Sequence, residues 1–488
     1  MMINSKDSKS YILDELLDLK NIYNSSFGDS NNYEWINKVD ETIKNIKDYN
    51  EFHLEKTLDN FTMELRTLLL QRGQRFVNNH LKSPPEDDET YLPSGEKLKF
   101  SYERDIRPTV LEERAESYRD IPDSWSQKSV LFSSGMAAIS TLFQSYFSMS
   151  RPTKENPLYI SSWSDYFETR MLKKFYSSDI VNIEIHKEEE KFLKSVSNAD
   201  VFFIEPIRYN WEMEVINLNG FINTLKNESK QGIKLIIIDT TLNGETLDFH
   251  MILNELKSIP DLIVIQLNSI LKLDQQGLEL SNGGLMSIYT YTDNNTAANA
   301  SDLAKYISSI RTILGNALTF EEIALLDNNF VFNRNCYNKY SMEVFKNNTE
   351  LASQVLAGGI FKKVVHPSLY SNEIWACAPF VVLHLKEDTL ENHSFLTEVV
   401  KYEVEKICLN FHYGSSFGFR NHRYEVVIPD LSTKKGLFKV AMGKRKGPTF
   451  NFIIKLFEKL SMYSDFEKLK NDYSHIKGDS LRIENFQD

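Results

Sequence analysis

Between residues 129 and 267 the chain repeats one pattern, a short and almost wholly apolar run followed by a segment long enough for a helix. The runs are SVLF (129–132), PLYISS (157–162), DIVNIEI (179–185), DVFFIE (200–205), KLIIID (234–239) and DLIVIQL (261–267). Most do not alternate apolar with polar residues, as expected for strands buried on both faces of a sheet. Strands spaced by helical segments predict an α/β domain with a mostly parallel sheet. In such sheets the functional groups gather beyond the carboxyl ends of the strands. The residues just after each run are therefore the ones to read.

The flanking regions differ. Residues 1 to about 82 place apolar side chains at three- and four-residue spacing and predict helices. The Pro-rich acidic stretch KSPPEDDETYLPSG closes that part. From about residue 310 a long helical stretch leads to three strand-like runs, FVVLHL, YEVVIP and LFKVAM, and an amphipathic helix, FNFIIKLFEKLSMY. The expected organisation is a helical extension and linker over 1–96, a large α/β domain over 97–310, and a smaller α+β domain over 311–488. With 488 residues the chain is too long for a single core.

Composition narrows the function. A net charge of −12 argues against a general nucleic-acid binder, which needs a basic face. Cys336, Cys377 and Cys408 lie far apart, so neither a zinc site nor a disulfide framework is expected. Few and unpaired cysteines fit a reducing compartment. The first residues lack an apolar signal core, and no apolar run approaches the ~18 residues of a membrane span. A soluble cytoplasmic protein is the resulting expectation.

After SVLF comes SSGMAAIS, whose Gly135 and Met136 amides form either an anion cradle at a helix start or an ordinary serine-capped turn. Asp239 ends KLIIID, where it either caps the next helix or holds the protonated nitrogen of a heterocycle. Ser269 and Lys272 follow DLIVIQL, as a hydroxyl for a phosphate and an amine for a carbonyl carbon, or as solvated groups on a turn. Tyr166 follows PLYISSW as a platform for an aromatic ring, and Asn210 follows DVFFIE as a donor to a phenolate. Each signal is weak alone. Together they supply the needs of pyridoxal phosphate, all at strand ends of one domain.

From Tyr102 to Met462 the chain resembles the pyridoxal-phosphate enzymes of cysteine and methionine metabolism, the fold type I proteins related to cystathionine γ-synthase and cystathionine γ-lyase. SSGMAAI is close to that family's phosphate turn, and YERDIRPT to the arm that reaches a neighbouring subunit. The resemblance implies that Tyr102 and Arg104 contact the partner's cofactor phosphate, in a homodimer or homotetramer with shared sites. It makes Tyr166 the stacking ring, Asp239 the pyridinium partner, Ser269 a phosphate ligand and Lys272, in SILK, the Schiff-base lysine. SSFGF (415–419) resembles the loop near the substrate, which brings in Ser416.

The departures cluster. Leu271 stands where the family has Thr, Phe167 and Glu168 where it has two glycines, and Lys439 where it has the arginine that grips the substrate carboxylate. The family's Glu-Thr-Pro-x-Asn-Pro becomes EPIRYN. A lysine cannot make the planar two-pronged bond of arginine, so Arg420 and Arg423 are candidates for that grip. The expected activity is elimination or replacement at Cβ or Cγ of an amino acid, with altered specificity. The alternatives are transamination, decarboxylation or carbon–carbon bond formation on the same cofactor, or a cofactor-free binding or regulatory protein.

Overall fold

The computed structural model describes residues 8–28, 33–78, 80–86, 88–228, 232–259, 261–292, 299–430 and 433–478. Its centre is a seven-stranded sheet: β1 (Trp125–Phe132), β2 (Leu158–Trp163), β3 (Val181–Ile185), β4 (Val201–Ile204), β5 (Lys234–Asp239), β6 (Leu262–Ser269) and β7 (Gly284–Tyr291). The strand order is β1-β7-β6-β5-β4-β2-β3. All six apolar runs lie in strands, and those strands are parallel to one another.

The seventh strand was not foreseen. GLMSIYTY runs antiparallel between β1 and β6 and carries polar residues into the core. They are tolerated because each finds a partner. Tyr289 donates to Gln266 Oε1 at 2.9 Å, Ser287 meets Ser129 at 3.1 Å, and Thr290 accepts from the Ala300 amide at 3.0 Å. Gly284 opens β7 where a Cβ would stand 2.3 Å from the Ser134 carbonyl oxygen and 2.7 Å from the Gly135 nitrogen. Only glycine lets β7 pass the turn that follows β1.

The C-terminal part folds around a five-stranded sheet of β8 (Phe361–Val365), β9 (Val381–Leu385), β10 (Phe411–Tyr413), β11 (His422–Asp430) and β12 (Lys435–Ala441), in the order β8-β9-β12-β11-β10. β8 and the short β10 are additions to the expected three strands. The segment from Phe320 is not one helix but two, Phe320–Leu326 and Arg334–Gln354. The acidic linker carries a two-stranded ribbon, Thr90–Tyr91 with Lys97–Leu98.

At the amino end are α1 (Ser8–Phe27), α2 (Tyr33–Lys44) and α3 (Glu51–Val77). The buried face of α1 is Ile12, Leu16, Leu19, Ile22 and Tyr23, the spacing of a helical stripe. This stripe and its counterparts Leu58, Leu65 and Leu69 on α3 share one core with Ile270, Leu273 and Leu278, which flank Lys272. The same core continues into Phe320, Leu325 and Val344, so it spans residue 96 without a break. Among the described residues no helix is long and apolar enough to cross a membrane.

A row of buried acids on these helices meets a row of bases from the small domain. Glu15 bonds Arg420 and lies 2.7 Å from Lys444 Nζ; Asp18 bonds Lys444 and Lys339; Asp59 bonds Arg445. Glu55 accepts from the Thr449 hydroxyl at 2.6 Å. Burial alone pushes the Glu15 carboxyl up, but Arg420, Lys444 and Arg445 beside it outweigh this and hold it well below the usual range. Its stabilisation is therefore in place above the ordinary carboxylate value and lost as pH falls through the folded value. Removing one partner of such a buried pair leaves uncompensated charge and costs about 3–5 kcal/mol. Glu15→Gln should lose that much stability in urea unfolding at neutral pH; an unchanged midpoint would show that the pair contributes nothing net.

Candidate active site

The carboxyl ends of β1, β2, β4, β5 and β6 deliver their next residues to one edge of the sheet. After β1, Ser134 caps α4 (Gly135–Ser150) by accepting from the Ala137 amide at 3.0 Å. The amides of Gly135 and Met136 belong to the first helical turn and have no intrahelical acceptor. A Cβ at Gly135 would lie 3.5 Å from Ser269 Cβ, so the end of β6 closes this turn from the other side. The glycine that opens β7 keeps the Gly135 amide clear, as described above.

Asp239 ends β5, and its Oδ1 accepts from the Thr241 amide at 3.0 Å. The Thr241 hydroxyl accepts from the Ser269 amide at 3.1 Å. Thr241 thus ties the β5 carboxylate to the β6 serine, a role the sequence reading missed. Burial raises the Asp239 carboxyl above its ordinary value, against the Thr241 hydrogen bonds and the charge of Lys173.

Tyr166 precedes α5 (Phe167–Tyr176), its ring 5.1 Å from that of Tyr209 at 81°. Burial, then the adjacent Glu168, raises its hydroxyl pKa. Glu205, the first residue after β4, fixes both tyrosines. It accepts from the amides of Asp165 (3.1 Å), Tyr166 (3.2 Å) and Tyr209 (2.8 Å). Burial and the charge of Asp239 raise its pKa. Its position at a strand end was the available signal. Met136 accepts a 3.8 Å contact from the Thr169 hydroxyl, linking α4 to α5.

Lys272 projects from the turn after β6. Its Nζ donates to Ser416 Oγ at 2.6 Å and lies 5.2 Å from the centroid of the Phe417 ring. Burial and then the positive charge of Lys439 lower its pKa to about 8, against the raising effect of Glu279, Glu168 and Glu425. At this value Lys272 has far more neutral amine, the nucleophilic form, near neutral pH than an ordinary lysine does.

The substrate-side residues divide. Lys439 on β12 is buried, 2.6 Å from Glu425 on the paired position of β11 and 3.4 Å from the Tyr209 hydroxyl. Arg423 is 3.1 Å from Glu279 and lies over the Phe419 ring at 3.6 Å. Arg420 is 2% exposed, donates to the Gln276 carbonyl at 3.0 Å and pairs with Glu15 on α1.

Asn210 sits in a local turn that uses both ends of its amide: the nitrogen donates to Glu214 at 2.8 Å and the carbonyl accepts from the Glu212 amide at 3.1 Å. Tyr102 is exposed, and Arg104 lies 4.9 Å over its ring. Among the described residues, the contacts of these two do not include Lys272.

No family model and no curated protein sequence matches the chain. Solved structures do. A methionine γ-lyase from Micromonospora echinospora aligns over 81% of this chain and 97% of its own at 17% identity and a TM-score of 0.54. A cystathionine γ-synthase from Xanthomonas oryzae pv. oryzae covers 81% and 98% at 13% identity and a TM-score of 0.54. A putative O-acetylhomoserine (thiol)-lyase from Campylobacter jejuni, which contains a pyridoxyl-lysine phosphate, covers 81% and 98% at 14% identity and a TM-score of 0.52. The chain has the fold type I architecture. At these identities the likeness establishes that fold, and the chemistry rests on the residues themselves. In this fold type I chain the reactive-amine signature is directly measurable. Reductive methylation of Lys272, followed by peptide mass spectrometry across pH, should show a midpoint near 8. Lys439→Met should move it upward by removing a positive neighbour; a downward move or none would contradict the stated electrostatics.

Proposed function

We propose that the chain is a pyridoxal-phosphate enzyme that eliminates or replaces a group at Cβ or Cγ of an amino acid or an amino-acid-like substrate. The observation that carries this is Lys272: a buried amine of lowered pKa at the end of β6, hydrogen-bonded to a serine and on the fold of enzymes of that kind. The donor set fits the cofactor. The Gly135 and Met136 amides with Ser269 would hold its phosphate, Asp239 its ring nitrogen, Tyr166 its ring face and Lys272 its carbonyl carbon.

Bound there, the cofactor supplies an electron sink for charge developing at the substrate Cα. The chain's residues do the rest. Lys272, half neutral near pH 8, takes and returns a proton at Cα, as a positioned amine of that pKa can. Ser416 orients its Nζ. Lys439 and its Glu425 partner face the same space, so a substrate carboxylate there would share the ammonium with Glu425. A cofactor-free binding protein would have no use for a desolvated lysine of lowered pKa just beyond a strand end.

The test is reconstitution. Wild-type protein should bind pyridoxal phosphate stoichiometrically in equilibrium dialysis and develop a visible absorption band, and Lys272→Ala should lack that band. Asp239→Ala should bind more weakly, with turnover down by about 10²-fold or more, the scale of a lost catalytic proton or charge partner. Wild-type protein that neither binds nor colours would end the proposal.

We further propose that the exposed Tyr102 and Arg104 complete the phosphate site of a second subunit in a symmetric dimer, the commonest soluble assembly. Mixing inactive Arg104→Ala with inactive Lys272→Ala subunits should restore activity, because a hybrid dimer has one intact site. Full wild-type activity in a sedimenting monomer would exclude this arrangement.

A further inference from the structure

Two irregular loops set the position of the Lys272 amine, and neither belongs to a ladder. The first follows Lys272 and places Gln276, Gly277 and Glu279 at φ of 50°, 69° and 48°. The second carries Ser416 at φ 76° and Gly418 at φ 81°. Left-handed backbone at non-glycine residues persists only where the surroundings enforce it. The loops press together backbone to backbone: a Cβ at Gly418 would lie 2.9 Å from the Lys272 carbonyl oxygen, and one at Gly277 would lie 2.6 Å from the Arg420 nitrogen.

The enforcing groups come from the N-terminal helices. Arg66 on α3 donates from Nε to the Leu278 carbonyl at 2.8 Å and from Nη2 to the Glu279 carbonyl at 3.0 Å. The Gln276 carbonyl is taken by Arg420 Nε at 3.0 Å, and the Arg420 head is held in turn by Glu15 on α1. Three consecutive or near-consecutive carbonyls of the first loop are thus satisfied by two guanidiniums, one supplied by α3 and the other anchored by α1. A planar fork can hold two neighbouring carbonyls at once, whereas an ammonium is a point donor and cannot fix both in one orientation.

We propose that Arg66 and Glu15 are positioning residues of the active site, and that the N-terminal helices are the element that holds Lys272 against Ser416. Neither residue touches the reacting atoms. They act through the loop carbonyls and Arg420, and so keep the Lys272 amine in its desolvated setting. The proposal rests on the reading of Lys272 as the reactive amine, and it is tested on cofactor-free protein so that the two stand or fall separately.

The experiment uses the full chain as wild type, Arg66→Met, Arg66→Lys and Glu15→Gln. Glu55→Gln, which neutralises the α3 carboxylate that accepts from Thr449 and removes no hydrogen bond to a carbonyl of either loop, is the control for general loosening. Hydrogen exchange should speed up at least about tenfold in segments 274–280 and 415–420 of Arg66→Met, and less in Arg66→Lys. The Lys272 methylation midpoint should rise from about 8 toward the ordinary lysine value of 10.5 as burial relaxes around it. The charges facing that amine, Lys439, Glu279, Glu168 and Glu425, remain in every variant. If Glu15→Gln does not fold, the two Arg66 variants still decide. Unchanged exchange and an unchanged midpoint in Arg66→Met, or equal changes in Glu55→Gln, would overturn the proposal. If Lys272 proves not to anchor a cofactor while Arg66→Met still frees both loops, the functional reading falls and the positioning claim stands.

Discussion

The desolvation of one amine organises this molecule. Lys272 is packed against Phe417 and beside a second buried ammonium, and among the described residues its hydrogen-bond partner is the Ser416 hydroxyl. A lysine in water holds its proton too firmly to act as a nucleophile at neutral pH, and burial removes that preference. The surroundings must therefore be rigid enough to exclude water and irregular enough to turn the side chain out from a strand end. The parallel sheet supplies the strand end, and the two left-handed loops supply the turn.

Rigidity at those loops is expensive in conformational terms and is met by charge as well as packing. The acids of α1 and α3 neutralise Arg420, Lys444 and Arg445 in the interior, where lone charges are not tolerated. The same helices bury their apolar stripe against Ile270, Leu273 and Leu278, next to the lysine in sequence. What reads as an appended helical segment is in the structure part of the core that holds the residues on either side of Lys272. The matched structures span about four fifths of this chain, which leaves room for a feature they do not share.

The legible part of the fold follows a simple physical rule. Strands buried on both faces must be apolar throughout, so β1 to β6 stand out in the sequence, and so do the groups at their carboxyl ends: Gly135, Tyr166, Asp239, Ser269 and Lys272. β7 is hidden because its Ser287, Tyr289 and Thr290 make it look half exposed, although each is paired inside the core. The local turn that takes both ends of the Asn210 amide leaves no signature in the sequence. Arg420 could not be placed from sequence, since Glu15 lies 405 positions away and no local pattern couples them. Glu205 and Thr241 act through backbone amides, which leave no side-chain motif to recognise.

The central claim is that Lys272 carries the cofactor. Its most direct test is borohydride reduction of the protein incubated with pyridoxal phosphate, followed by digestion and mass spectrometry. A stable pyridoxyl adduct is expected on the peptide containing SILKLDQQG, at Lys272 alone. An adduct confined to another lysine, or none at a saturating cofactor concentration, would contradict it.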